Sequence, residues 1–121
     1  MPRKPLADAA FATNHKARRD YEILETFEAG IELRGTEIKS IRQHRVTIDD
    51  SFARIDGGEL FLYNMHVSPY AQGGRDNSEP LRVRKLLLHR REIDRVAGLL
   101  SQQRIAIIPL RLYQTRGMAK V

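Results

Sequence analysis

Four histidines, one adjacent aspartate pair and a block of basic residues beside leucines are the side chains of this 121-residue sequence that could do chemistry. His15, His44, His66 and His89 lack the i, i+4 spacing of a helical zinc site, and no cysteine is present to complete one. Surface or capping roles fit them better. Asp49-Asp50 could seed a magnesium site for a metal-dependent nuclease. Adjacent strand residues point to opposite faces, so the pair would chelate only if a bulge turned one of them. A polar strand start explains the pair more simply. There is no G-x-S-x-G elbow and no P-loop, and Gly73-Gly74 reads as a flexible loop tip.

Binding chemistry survives this search. Arginine and lysine neutralise phosphates, and an arginine fork stacks on exposed bases. The run from Arg82 to Leu88 sets Arg82, Arg84 and Lys85 directly against Leu86, Leu87 and Leu88. Such a junction can hold phosphates while an aliphatic side chain packs on an unstacked base. At least two of the three leucines belong in a core. Glu28 has two readings: a cross-strand partner for an arginine, or a carboxylate accepting from base donors.

The element that would position these residues is the stretch Tyr21–Arg45. Tyr21, Ile23, Phe27, Ala29, Ile31 and Leu33 alternate with mostly polar neighbours, the two-residue period of a long strand. Gly30 permits a bend or bulge in its middle. After Gly35, Thr36 is expected to cap a helix carrying Glu37 in its first turn, with Ile38 and Ile41 on one face. Asp56-Gly57-Gly58 predicts a hairpin between Ser51–Ile55 and Glu59–Val67. Residues 68–80 form a long loop, and LRVRKLLL leads to a helix from His89 whose stripe is Ile93, Val96, Ala97 and Leu100. Arg104–Tyr113 reads as the next strand, at an edge or bulge because of Pro109. A turn at Gln114–Gly117 then leaves only four residues to pair with it. Residues 1–13 are expected to be a mobile terminus, with a helical turn at Asn14–Arg19.

The formal charge is +6, concentrated before Asp20 and again after Pro80, as in proteins that meet a polyanion. Nucleic acid fits this better than a membrane, because no amphipathic helix with exposed aromatics accompanies the charge. The absence of cysteine and of a hydrophobic leader makes a cytoplasmic location the default. The fold expected is mostly β: a small antiparallel OB-like β-barrel with two or three flanking helices, spanning 14–121 and suited to RNA. A barrel binding rRNA by charge alone is the other non-enzymatic reading.

The segments FEAGIELRGTEIKSIR, NMHVSPY, RKLLLHRREI and PLRLY occur in one order and cover, with their flanks, everything after Thr13. In these the chain resembles the SsrA-binding protein (SmpB) family, the bacterial partners of transfer-messenger RNA (tmRNA). The resemblance implies an OB-like barrel without catalytic activity or cofactor that binds the tRNA-like domain of tmRNA. It also implies delivery, with elongation factor Tu, to the decoding region of stalled ribosomes for peptide tagging and ribosome rescue. By the same resemblance Glu28, Leu87 and Lys120 bind tmRNA, with lesser parts for Lys16, Arg18, Lys39 and Arg42. Arg19 stands where many members have histidine. Family members continue the last strand into a basic tail, so the resemblance reads 14–121 as an RNA-recognising core lacking that tail and unable to tag by itself.

Overall fold

Two glycines set the first fixed point: Gly57 and Gly58 take φ of 60° and 81°, the left-handed pair of a type I′ hairpin turn. They join β4 (Phe52–Asp56) to β5 (Glu59–Tyr63), as the sequence predicts. Leu60 and Leu62 bury one face of β5 while Phe61 and Tyr63 lie half-buried on the other. The predicted arm to Val67 is broken at Asn64, whose φ of 64° turns the chain out of line. His66–Val67 (β6) then pairs instead with Val46–Thr47 (β3) in a separate two-stranded ladder.

The computed structural model describes residues 10–121. Before that hairpin come β1 (Ala10–Thr13), α1 (Ala17–Asp20), β2 (Gly30–Ile31) and α2 (Gly35–Arg42). After it come β7 (Arg84–Leu87), α3 (Arg90–Gln102), β8 (Arg111–Thr115) and β9 (Met118–Lys120). The order β1-β8-β9-β2-β7-β5-β4 makes one seven-stranded antiparallel sheet among the described residues. Its inner face joins Ala29, Ile31, Ala53, Leu60, Leu62, Leu86 and Leu112 with Ile41 of α2 in one core. The mostly-β, antiparallel class with three helices therefore stands. Beyond β4 the ladder continues through the bridge Ala53 to Ile107.

Other expectations also need correction. Ala10–Thr13 is not a loose terminus but a strand paired with β8, Thr13 opposite Arg111; residues 1–9 lie outside the described residues. The long strand of Tyr21–Leu33 shrinks to Gly30–Ile31, because a strand needs partners and only there do β7 and β9 flank the chain. Ala29 still exchanges two hydrogen bonds with Val121, but Tyr21 and Leu24 remain 49% and 62% exposed. The segment from Tyr21 to Ala29 lines a cleft of about 1460 Å³ facing α3 and residues 103–111. The strand predicted from Arg104 starts only at Arg111, since Pro109 has no N–H for a ladder; its carbonyl accepts from Asn14 Nδ2 at 3.0 Å. On α3, Ile93 and Val96 are buried but Ala97 is exposed, so the apolar stripe is narrower than its spacing suggests.

Helix α2 starts differently from the prediction. Thr36 does not cap it; its hydroxyl donates to Asp76 O in the 68–80 loop at 3.3 Å. Glu37 turns back instead, accepting from Arg34 N–H at 2.8 Å and satisfying a first-turn donor. Helix α3 repeats the device, His89 N–H donating to Glu92 at 3.0 Å. The 68–80 loop is shaped by Asn77, whose amide bonds the backbone of Tyr70 at both N–H (2.8 Å) and C=O (2.9 Å).

Candidate nucleic-acid interface

Cross-strand partners in an antiparallel sheet point to the same face. Tyr113 of β8 is the partner of Lys120 in β9, Lys120 of Gly30 in β2, and Gly30 of Leu87 in β7. These four residues thus form one row across four strands. It lies on the outer face, since the chain neighbours Leu112, Ile31 and Leu86 are buried. Leu87 is 45% exposed there, so the sheet, not the leucine run, decides that Leu86 is core and Leu87 surface. A Cβ on Gly30 would sit 3.3 Å from Leu87 Cβ, so the glycine gives Leu87 room to lie across β2.

Glu28 joins the row through the Tyr113 hydroxyl, which donates to its carboxylate. The Arg111 guanidinium stands 4.4 Å from the Tyr113 ring centroid. Three residues expected to act together, Glu28, Leu87 and Lys120, are brought onto one surface from three distant parts of the chain. The surface offers an acceptor, a cation and an exposed aliphatic face side by side. Tyr113 had no assigned role in the sequence, although the alternation in PLRLY puts Arg111 and Tyr113 on one face.

The basic residues of the KLLL junction separate. Lys85, two residues from Leu87, shares the outer face, with its ammonium 3.9 Å from Glu59. Arg84 does not reach the outer face at all. Its side chain is fully buried, donating to Glu37 at 2.6 and 3.0 Å, to Met65 O at 2.6 Å and to Pro80 O at 3.3 Å. Arg82 is also drawn inward, bonded to Glu37 at 2.6 and 3.2 Å. Arg84 is therefore corrected from a phosphate ligand to a structural group, because alternation along β7 sends it to the core side, where Glu37 waits, whereas the Arg82 side chain stays 23% exposed. Burial pushes the Glu37 carboxyl up, yet donation from Arg82, Arg34 N–H and Arg84 outweighs it and holds the pKa below its ordinary value. Burial lowers the Arg84 pKa against the pull of Glu37.

The remaining candidates lie off this row. Lys16, Arg18 and Arg19 cluster at α1, Lys16 pairing with Asp50 at 3.3 Å and Arg19 with Asp20 at 3.3 Å. Asp49 accepts from His15 N–H at 3.3 Å, so the aspartate pair pins α1 to the turn before β4. Lys39 and Arg42 are exposed on α2, with the Lys39 ammonium 5.4 Å from the Tyr70 ring centroid. Among the described residues no group of three or more histidine or acidic side chains is placed to hold a metal ion. No helix among them is long and apolar enough to cross a membrane.

Comparison with known proteins places the chain in a family. The family model described as SmpB protein matches residues 11–121. The SsrA-binding protein of Geobacillus thermodenitrificans is 59% identical over 110 residues, 91% of this chain and 71% of its own. The SsrA-binding protein of Listeria monocytogenes serovar 1/2a has the same identity and the same coverage. A solved structure described as "tmRNA-SmpB: a journey to the center of the bacterial ribosome" contains a chain that superposes with a TM-score of 0.73 at 50% identity. The match covers 90% of this chain and 77% of that one. The chain belongs to the SmpB family.

Proposed function

We propose that this chain binds the tRNA-like domain of tmRNA through the outer face of its sheet and takes part in trans-translation on stalled ribosomes. The observation that carries this reading is the row Lys120–Gly30–Leu87 with Glu28 held beside it by Tyr113. Structured RNA is read by shape, 2′-hydroxyl contacts and splayed loop bases. Lys120 supplies charge, Leu87 an aliphatic surface for an unstacked base, and Glu28 an acceptor for base or hydroxyl donors. Family membership supports the reading, since the matched relatives are SsrA-binding proteins and the matched structure is described as tmRNA-SmpB in the bacterial ribosome.

The role is that of a binding factor, not an enzyme, working in the cytoplasm with ribosomal RNA as second partner and elongation factor Tu in the delivery complex. Lys16, Arg18 and Arg19 on α1 and Lys39 and Arg42 on α2 lie outside the row and supply further phosphate contacts. Binding to a tRNA-like tmRNA fragment, compared with an elongator tRNA at moderate salt, tests the reading. The wild type should prefer the fragment, and Leu87→Ala should weaken that binding about tenfold, the value of losing one buried aliphatic contact. Equal binding to both RNAs, indifferent to Leu87, would leave only non-specific attraction to a basic protein.

A further inference from the structure

The outer face continues beyond Leu87 in a second row. Arg54 of β4 is the register partner of Phe61 in β5, and Phe61 is the partner of Lys85 in β7. An aromatic ring therefore stands between two cations on adjacent strands, the cations' backbones about 10 Å apart. Arg54 is exposed, and Phe61 and Lys85 are half-exposed. Next along the hairpin, Phe52 and Tyr63 stack with ring centroids 5.4 Å apart and planes 8° from parallel. The Arg54 guanidinium lies 5.5 Å from the Tyr63 centroid. Arg54 makes no hydrogen bond or ion pair among the described residues, whereas Lys85 is shared with Glu59, itself bound by Arg90 at 2.9 Å.

The geometry points to a base-stacking platform on β4, β5 and β7, with Phe61 receiving an unpaired base of bound RNA and Arg54 and Lys85 taking phosphates on either side. Three features select this occupant. Aromatic faces between cations suit a base flanked by its phosphates, because every base has a π-face and the backbone carries the charge. Tyr63, stacked on Phe52, has the Arg54 guanidinium 5.5 Å from its ring centroid, so the second cation already neighbours an aromatic face. Lys85 and Leu87 alternate on β7, so the platform adjoins the Leu87–Gly30–Lys120 row and one RNA can lie across both. The inference rests on the outer face being the RNA face, as proposed above.

Phe61→Leu keeps an apolar side chain and removes the ring; Arg54→Ala removes one cation; Phe61→Tyr restores the ring. Each is titrated with a short single-stranded RNA and with the tRNA-like tmRNA fragment, and its thermal unfolding is measured alongside. Phe61→Leu should weaken both RNAs about tenfold, and Phe61→Tyr should recover wild-type binding. Arg54→Ala should flatten the plot of log affinity against log salt by about one unit, more than any change in unfolding midpoint explains. Wild-type affinity of Phe61→Leu and Arg54→Ala for both RNAs would overturn the platform. If Leu87→Ala still weakened the fragment, the broader reading would survive that result. Conversely, Phe61-dependent binding of the single strand without preference for the fragment would keep the platform and remove tmRNA as its target.

Discussion

Glu37→Gln is the substitution that tests the interior most sharply. Glu37 is 3% and Arg84 0% exposed as side chains, and the two meet at 2.6 Å, with Arg82 at 2.6 Å on the other oxygen. An amide of the same shape leaves two arginines facing a neutral group, one of them with no access to water. Removing one partner of a buried pair costs about 3–5 kcal/mol. Gln still accepts a hydrogen bond, so about 3 kcal/mol is the figure to use. For a domain of this size that is roughly a 12 °C fall in unfolding midpoint, at about 4 °C per kcal/mol. Arg84→Met should cost less, because Glu37 keeps Arg82 and the Arg34 N–H. The double variant Glu37→Leu, Arg84→Met should recover part of the loss.

The pH dependence follows from the depressed carboxyl. Its stabilisation is fully present above the unfolded-state value of about 4.3 and drains away as pH falls through the lower folded value. Wild type should therefore lose stability steeply below about pH 4, and Glu37→Gln should lose less over that window. Circular dichroism melts from pH 3 to 7 measure both. A Glu37→Gln midpoint within about 2 °C of wild type at neutral pH would refute the argument that Glu37 neutralises Arg84.

Other substitutions probe the surface row and the loop. Gly30→Ala places a methyl 3.3 Å from Leu87 Cβ and should cost about 1–2 kcal/mol in a denaturant melt. By displacing Leu87 it should also weaken fragment binding more than it lowers stability. Tyr113→Phe deletes the donor to Glu28 while keeping the ring under Arg111. Affinity for the tmRNA fragment should fall several-fold with the melt unchanged, and equal affinity would remove Tyr113 as the group that positions Glu28. Asn77→Ala frees the backbone of Tyr70 at both ends, so amides of residues 68–80 should exchange faster while β5 and β7 keep their protection.

Much of this architecture was legible before folding, because it is local. Adjacent glycines at Gly57-Gly58 allow a type I′ turn, so the hairpin could be read from the dipeptide and its alternating flanks. The apolar spacing of α3 and the early Glu37 of α2 marked both helices, although Arg34, not Thr36, proved to be the capped residue. Family membership was equally legible, since FEAGIELRGTEIKSIR and RKLLLHRREI are specific strings of residues.

Decisions that depend on partners were not legible. Tyr21–Glu28 has the alternation of a strand, but alternation shows only which side chains could share a face, and the paired strands begin only after it. Arg82, Arg84 and Lys85 look alike in sequence. Pairing of β7 between β2 and β5 turned Lys85 outward, while Glu37, 47 residues before Arg84, determined that Arg84 could be buried charged. Sequence alone named Glu28, Leu87 and Lys120; only the register of β8, β9, β2 and β7 makes them one surface. A sheet converts distant residues into neighbours through backbone hydrogen bonds, and no single stretch of the chain records those bonds.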